Sequence, residues 1–168
     1  MTDAAALVAG LDLDAHRWFA GKGRAEAGRR VVDEWAVGAG RLIVFEVAYA
    51  EGAPDLYVLP DGDGVYAALA DGGTERPLGV DQTHTSMIVG DRVVKLYRRV
   101  EPGPNPEVEV LEALDAVGFD GVPALRGAVH RTLPDGTDIG VAIVQDLIPD
   151  APDGWESLIA PLERLIDG

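Results

Sequence analysis

The chain has 168 residues, of which 47% are hydrophobic, and a formal net charge of −15 at pH 7. This length supplies one compact domain or two small ones that share a core, and this hydrophobic content is ordinary for a globular protein. So acidic a chain is a poor partner for nucleic acid or for an anionic membrane surface, since both need basic side chains.

Targeting and metal-binding signals are also missing from the sequence. The first ten residues lack the basic and apolar segments of a signal peptide, and no stretch reaches membrane-spanning length, so we expect a cytoplasmic protein. The absence of cysteine excludes disulfides and thiolate metal sites. The three histidines, at positions 16, 84 and 130, offer no paired metal-ligand spacing. We therefore expect no metal site in these residues.

The first predicted element is a short helix in the Ala- and Leu-rich residues from Ala4 to Leu13. The segment RWFAGKGR follows at residues 17–24 and places two aromatic residues among basic ones. We expect Trp18 and Phe19 to anchor this segment in the core while its basic side chains project outward.

From Val31 onward the chain has a repeated strand pattern. Four apolar or β-branched runs are separated by Gly, Pro and Asp: VVDEWAV, RLIVFEVAYA, DLYVLP and GVYAALA. Runs about ten residues apart with no helix between them predict antiparallel pairing. The Gly72-Gly73 pair and Pro77 then mark a boundary, so residues 1–80 form a first unit.

The second unit, residues 81–150, opens with the hydroxyl-rich segment QTHTS. The hydroxyl groups of Thr83, Thr85 and Ser86, together with backbone N–H groups, could contact the phosphate oxygens of a ligand. The alternative is a hydroxyl-rich turn that binds nothing.

A predicted β-hairpin follows this segment. Its two apolar runs, residues 87–89 and 92–97, are joined by a Gly-Asp turn. Alternation along the second run places Lys95 on the same face as Tyr97. A lysine with apolar neighbours sends its ammonium group either to solvent or to a fixed anion.

A helix is predicted after this hairpin. Asn105 is a suitable N-cap, Pro106 suits the first helical position, and Gly118 is placed to end the helix. Three apolar residues spaced three apart are expected to form its buried stripe: Leu111, Leu114 and Val117.

Two glutamates in the first turn of this helix are candidate partners for Lys95. At about 100° per residue, Glu107 lies nearer the expected buried stripe than Glu109. A glutamate on a packed helix beside a strand lysine is the arrangement that positions the lysine for ATP phosphates in protein kinases. The alternative is a lysine at a sheet edge that reaches solvent, with two solvated glutamates.

Two further elements complete the chain. A second hairpin turns at Leu133-Pro-Asp-Gly136, and its nearly apolar second run, Ile139 to Leu147, predicts a central buried strand. A helix is predicted from Asp153 to the C-terminus, with a kink at Pro161. Its apolar residues are spaced to form one stripe: Trp155, Leu158, Ile159, Leu162, Leu165 and Ile166.

Four stretches in the same order resemble the N-terminal part of bacterial maltokinases, which belong to the aminoglycoside-phosphotransferase-like kinases. They are RWFAGKGR, QTHTS, GDRVVKLYRRVEPGPNPEVEVLEAL and VQDLIPDAPDGW. The resemblance implies an α+β fold: an antiparallel cap sheet with an N-terminal helix, packed on a kinase-like N-lobe with an antiparallel sheet and one helix.

The resemblance also implies a nucleotide site for ATP with Mg²⁺. Lys95 would hold the α- and β-phosphates, either Glu107 or Glu109 would orient it, and the QTHTS segment would cover the phosphates. The end of the buried strand would become the hinge between two lobes, where main-chain groups near Gln145 and Leu147 would hydrogen-bond adenine.

The catalytic part of such kinases is a C-lobe, which has an HGDLH-like loop followed by a metal-binding Asp. Neither motif occurs in these 168 residues, so no catalytic residue is expected here and residues 151–168 would only begin a C-lobe. A sugar substrate would bind only with a C-lobe.

The alternatives are a stand-alone binding or regulatory module and a split enzyme whose C-lobe is a separate protein. We expect the C-terminal stripe to be covered by self-association or by that partner.

Overall fold

The computed structural model describes residues 2–78 and 85–149, together with Ile159 and Leu162. The described elements, in chain order, are α1 (Ala4–Ala9), a 3₁₀ turn (Leu13–Ala15), β1 (Glu26–Val37), β2 (Gly40–Tyr49), β3 (Asp55–Asp61), α2 (Val65–Leu69), β4 (Glu75–Pro77), β5 (Thr85–Val89), β6 (Arg92–Leu96), β7 (Arg99–Val100), α3 (Pro106–Ala116), β8 (Leu125–Thr132) and β9 (Asp138–Asp146). Thr83 and the predicted C-terminal helix, apart from Ile159 and Leu162, lie outside the described residues.

Two antiparallel sheets and few helices confirm the predicted α+β class. The first sheet has the strand order β1-β2-β3-β7, and the second has the order β4-β5-β6-β9-β8. Both predicted hairpins are present, since β5 pairs with β6 and β8 pairs with β9. The strand β9 lies between β6 and β8, as predicted for the apolar run that begins at Ile139.

The two sheets exchange short strands across the boundary predicted near residue 80. The strand β7 follows β6 in the chain but pairs with β3 in the first sheet. In return β4, which precedes the boundary, pairs with β5 in the second sheet. One hydrophobic cluster accordingly includes residues of both sheets, among them Leu42, Val58, Val94 and Ile143, each fully buried.

The strand β2 is covered on both faces. Alternate residues such as Leu42 and Val44 contribute to the core between the sheets. Their neighbours Ile43 and Phe45 pack in a second cluster with α1, the 3₁₀ turn and Phe19. Phe19 is buried and Trp18 is half-buried, so the aromatic pair anchors its segment as predicted.

The strand predicted over GVYAALA is instead the helix α2. Gly64 precedes this helix with a φ of +73°, a left-handed conformation that breaks the extended chain and that glycine adopts without strain. The helix buries its first two residues, Val65 and Tyr66. The alanines of this segment favour a helix. A run of five residues is too short for its hydrophobic periodicity to distinguish a helix from a strand.

The buried stripe predicted for α3 is also wrong in part. Val108 and Leu111 are the buried residues, Leu114 is half-buried and Val117 is 77% exposed. A step of three residues turns the helix by about 300°, so each step moves the stripe by about 60° around the axis. Two steps carry Val117 away from the core, and the helix itself ends at Ala116.

Candidate functional site

The candidate site is built around an ion pair between β6 and α3. The Lys95 ammonium lies 2.8 Å from Oε1 and 2.7 Å from Oε2 of Glu107. The exposed fractions of the two side chains are 23% and 36%. Because β6 lies inside its sheet, between β5 and β9, the alternative of a lysine at a sheet edge does not hold.

The start of α3 places Glu107. The Asn105 side chain caps the helix by accepting a 2.9 Å hydrogen bond from the Glu107 N–H group, and Pro106 occupies the first helical position. Glu107 therefore lies in the first turn, where the helix dipole favours a carboxylate. The exposed Glu109 is two residues further, which turns it about 200° around the axis and away from Lys95.

Tyr97 completes the arrangement. Its hydroxyl group donates a 3.0 Å hydrogen bond to Oε2 of Glu107, and the Lys95 ammonium lies 5.6 Å from its ring centroid. Burial, with the neighbouring Glu107 charge, raises the pKa of Tyr97, so its hydroxyl remains a donor. No role for Tyr97 was predicted from the sequence, although strand alternation places it on the same face as Lys95.

Of the three predicted phosphate-contacting hydroxyl residues, Ser86 lies beside Lys95, and Thr85 lies on the other face of the sheet. Ser86 is opposite Lys95 in the β5–β6 ladder, and opposite residues share a sheet face. Thr85 begins β5 opposite Leu96. Thr83 lies outside the described residues.

The two predicted hinge residues lie at the end of β9. Gln145 is opposite Val93 of β6, and its side-chain amide lies 3.5 Å from the Pro123 carbonyl oxygen. The Leu147 N–H group donates a 2.8 Å hydrogen bond to the Asp91 carbonyl oxygen. The Leu147 N–H group is therefore already used within the fold.

Arg98 follows β6 of the second sheet and precedes β7 of the first sheet, and its side chain is buried. Its Cζ atom is 4.4 Å from the centroid of the Trp18 ring, and its Nη1 atom is 3.5 Å from the Thr85 hydroxyl oxygen. Burial lowers the pKa of Arg98 to about 10, against a partial opposing effect from Tyr66. Arg98 is the second site residue that the sequence analysis missed, because its neighbours come from distant parts of the chain.

A cavity of about 560 Å³ opens beside the ion pair. Its lining comes from the N-terminal segment, the connector after β6 and the start of α3, and includes Arg17, Trp18, Tyr97, Arg99, Asn105 and Glu107. Its volume is within the range of small-molecule sites.

Within residues 2–78 and 85–149, no group of three or more His, Asp or Glu side chains is placed to hold a metal ion. Across the described part of the chain, no helix is long and apolar enough to cross a membrane.

Comparison with known proteins shows similarity to sugar kinases. A stretch of 87 residues is 41% identical to a glucosamine kinase of Mycolicibacterium smegmatis, and it makes up 51% of this chain and 22% of that protein. A solved structure of a glucosamine kinase, in its crystal form B, superposes with a TM-score of 0.58 and 23% identity, covering 97% of this chain and 44% of that one. No protein-family model matches the chain.

These comparisons support a sugar-kinase-like fold and homology to a sugar kinase over half of the chain. The chain spans less than half of the length of the kinases that it matches.

Proposed function

We propose that this chain is the nucleotide-binding part of a sugar kinase, in which Lys95 holds the phosphates of ATP and Glu107 orients Lys95. The observation that carries the proposal is the two-oxygen ion pair between Lys95 and Glu107. Protein kinases require the same pairing, between a lysine on the third N-lobe strand and a glutamate on the following helix. Here β6 is likewise the third strand of its antiparallel sheet, and α3 follows it.

The donor capacity of Lys95 is compatible with this role. An ammonium group has three N–H donors, and the two oxygens of Glu107 use two of them. The third can bind a phosphate oxygen while Glu107 keeps the side chain in place. The positive charge then offsets part of the phosphate charge in a half-buried position, where screening by water is reduced.

Residues around Lys95 would hold the rest of the nucleotide. Ser86 would donate a hydroxyl hydrogen bond to a phosphate oxygen from the adjacent strand, and Thr85 would hold the start of β5 in place. The main chain near Gln145 and Leu147 would contact the adenine base at the other end of β6, since Gln145 is opposite Val93, two residues from Lys95.

Magnesium does not fit the described residues in the same way. The acidic side chains of residues 2–78 and 85–149 form no cluster that could hold a metal ion. In the full kinase, carboxylates of the C-lobe would supply that function.

The sugar would be an amino sugar or a maltose-type sugar. Glucosamine is the first candidate because the relative from Mycolicibacterium smegmatis is a glucosamine kinase. Maltose is the second, because four ordered motifs resemble maltokinases. In either case the sugar would bind with a C-lobe, either in one polypeptide or on a partner that covers the predicted C-terminal stripe.

The second candidate function is a non-catalytic binding or regulatory module. Such a module would bind the nucleotide through the same Lys95–Glu107 pair without transferring a phosphoryl group. A phosphate-binding lysine alone provides neither a general base nor a metal site.

A calorimetric titration with ATP, and with AMP as the matched ligand, tests the nucleotide site. We expect ATP to bind more tightly than AMP, because Lys95 would also contact the β-phosphate, which AMP lacks. Equal affinities, or no binding of ATP, would contradict the proposal.

An ADP-release assay with glucosamine, maltose and glucose then tests the catalytic part. No release above background is expected from this chain by itself. Release that copurifies with the chain and is lost in Lys95→Met would show that these residues include a catalytic carboxylate that we have not identified.

A further inference from the structure

Three charged side chains are buried in the described part of the chain: Arg41, Asp55 and Arg98. Arg41 and Asp55 each form ion pairs with two partners of opposite charge. Within residues 2–78 and 85–149, Arg98 forms no ion pair, and its Nε atom has no hydrogen-bond partner. A buried cation without a carboxylate partner is costly, and an apolar residue of similar volume is often at least as stable in such a position.

The contacts of Arg98 connect the first unit to the nucleotide site. Trp18 and Tyr66 belong to the first unit, and the Arg98 carbonyl oxygen accepts a 2.8 Å hydrogen bond from Val58 of β3. On the other side, Nη1 of Arg98 donates to the hydroxyl oxygen of Thr85, the first residue of β5. Thr85 precedes Ser86, which lies opposite Lys95.

We propose that Arg98 is a positioning residue through which the first unit, by way of Trp18, holds Thr85 and the start of β5 in the geometry that binds ATP. This inference rests on the proposed nucleotide site. The planar guanidinium group suits the role, because it can stack on the indole ring while its N–H groups point to a hydroxyl oxygen. A lysine ammonium cannot do both.

A double-mutant cycle in ATP affinity tests the connection. Trp18→Phe and Thr85→Val are made singly and together in the 168-residue chain, and each protein is titrated calorimetrically with ATP. Each single change is expected to weaken binding about two- to tenfold, as for one hydrogen bond or ring contact. The double variant is expected to bind about as weakly as the weaker single variant, because both changes interrupt the same connection.

Arg98 itself is tested by Arg98→Met, which removes the charge and keeps much of the volume. In this background, Thr85→Val is expected to have no further effect on ATP affinity. If Arg98→Met does not fold, the cycle between Trp18 and Thr85 decides alone. As a control, Arg30→Met removes an exposed ion pair with Glu46 in the first sheet and is expected to leave ATP affinity unchanged.

The readout separates positioning from simple packing. A packing role would lower the melting temperature of the ATP-free variants and leave the affinity of the folded protein unchanged. That result, or independent effects of Trp18→Phe and Thr85→Val that multiply in the double variant, would overturn the inference.

The experiments distinguish a failure of the proposed nucleotide site from a failure of the inference about Arg98. If the wild-type chain binds ATP and Lys95→Met weakens that binding, the nucleotide site stands whatever the cycle shows. If the wild-type chain does not bind ATP, both proposals fall together.

Discussion

The hydroxyl group of Tyr97 donates a 3.0 Å hydrogen bond to Oε2 of Glu107, the same oxygen that lies 2.7 Å from the Lys95 ammonium. The carboxylate is therefore held from two sides, by a cation on β6 and by a neutral donor just after that strand. A carboxylate fixed in this way can orient the lysine without following it when the lysine binds phosphate.

Replacing Tyr97 with phenylalanine should loosen this carboxylate. We expect ATP affinity to fall about two- to tenfold and the free energy of unfolding to fall by about 1 kcal/mol, the usual effect of one hydrogen bond. Calorimetry measures the first change and urea denaturation the second. The control is Tyr49→Phe, which removes a buried hydroxyl that donates to Asp55 at 2.9 Å in the first sheet. It should reduce stability and preserve ATP affinity. An unchanged ATP affinity in Tyr97→Phe would show that Glu107 needs no second donor.

The two glutamates of α3 should differ sharply in their effect on ATP binding. Glu107→Gln removes the charge that orients Lys95, and we expect ATP affinity to fall about tenfold or more, as for hydrogen bonds between charged groups. Glu109→Gln lies on the exposed side of the helix and should change affinity less than about twofold. Equal effects, or a larger effect of Glu109→Gln, would contradict the assigned rotation of α3. The measurement is the ATP titration of both variants.

A separate prediction about stability follows from the residues that α3 buries. Leu111 is 9% exposed, so Leu111→Ala should lower the free energy of unfolding by about 2–5 kcal/mol. Val117 is 77% exposed, so Val117→Ala should change it by no more than about 0.5 kcal/mol. Denaturant titration of both variants measures the difference. If Val117→Ala lowered the free energy of unfolding as much as Leu111→Ala does, Val117 would belong to the buried stripe, as the three-residue spacing predicts.

A prediction about the pH dependence of stability follows from Asp146, at the end of β9. The side chain of Arg126 forms a two-bond ion pair with Asp146, and these hydrogen bonds lower the pKa of the Asp146 carboxyl below its ordinary value of 3.8. Because the folded pKa is depressed, the pair stabilises the folded chain above pH 3.8. That contribution is lost as the pH falls through the lower folded value. NMR titration of Asp146 should give a midpoint below 3.8 that rises in Arg126→Gln. A midpoint unaffected by that change would show that Arg126 does not set it.

Much of the second sheet could be predicted from the sequence because its signals are local. The Gly-Asp turn, the Asn105 cap and the apolar run beginning at Ile139 each determine structure within a few residues. The helix α2 could not be predicted in this way. Its five residues fit either period, and its conformation depends on Gly64 and on a core contributed by other strands.

Strand alternation and helical rotation predict part of the site from the sequence. They place Lys95, Tyr97 and Glu107 on facing surfaces, and the structure joins all three. Arg98 could not be found in this way, since its contacts with Trp18 and Thr85 depend on how the two sheets pack. The exchange of β4 and β7 between sheets is likewise a property of the whole fold, and no local pattern indicates it.

The most direct test of the proposed nucleotide site is the ATP affinity of Lys95→Met, measured by calorimetry beside the wild type and Lys22→Met. Lys22 is the other lysine of the chain and is exposed in the first unit, so it controls for loss of charge. Lys95→Met should weaken ATP binding about tenfold or more, while its free energy of unfolding changes by no more than about 1 kcal/mol. Lys22→Met should bind ATP as the wild type does. If Lys95→Met is folded and binds ATP as tightly as the wild type, Lys95 does not hold the phosphates and the proposed site is wrong.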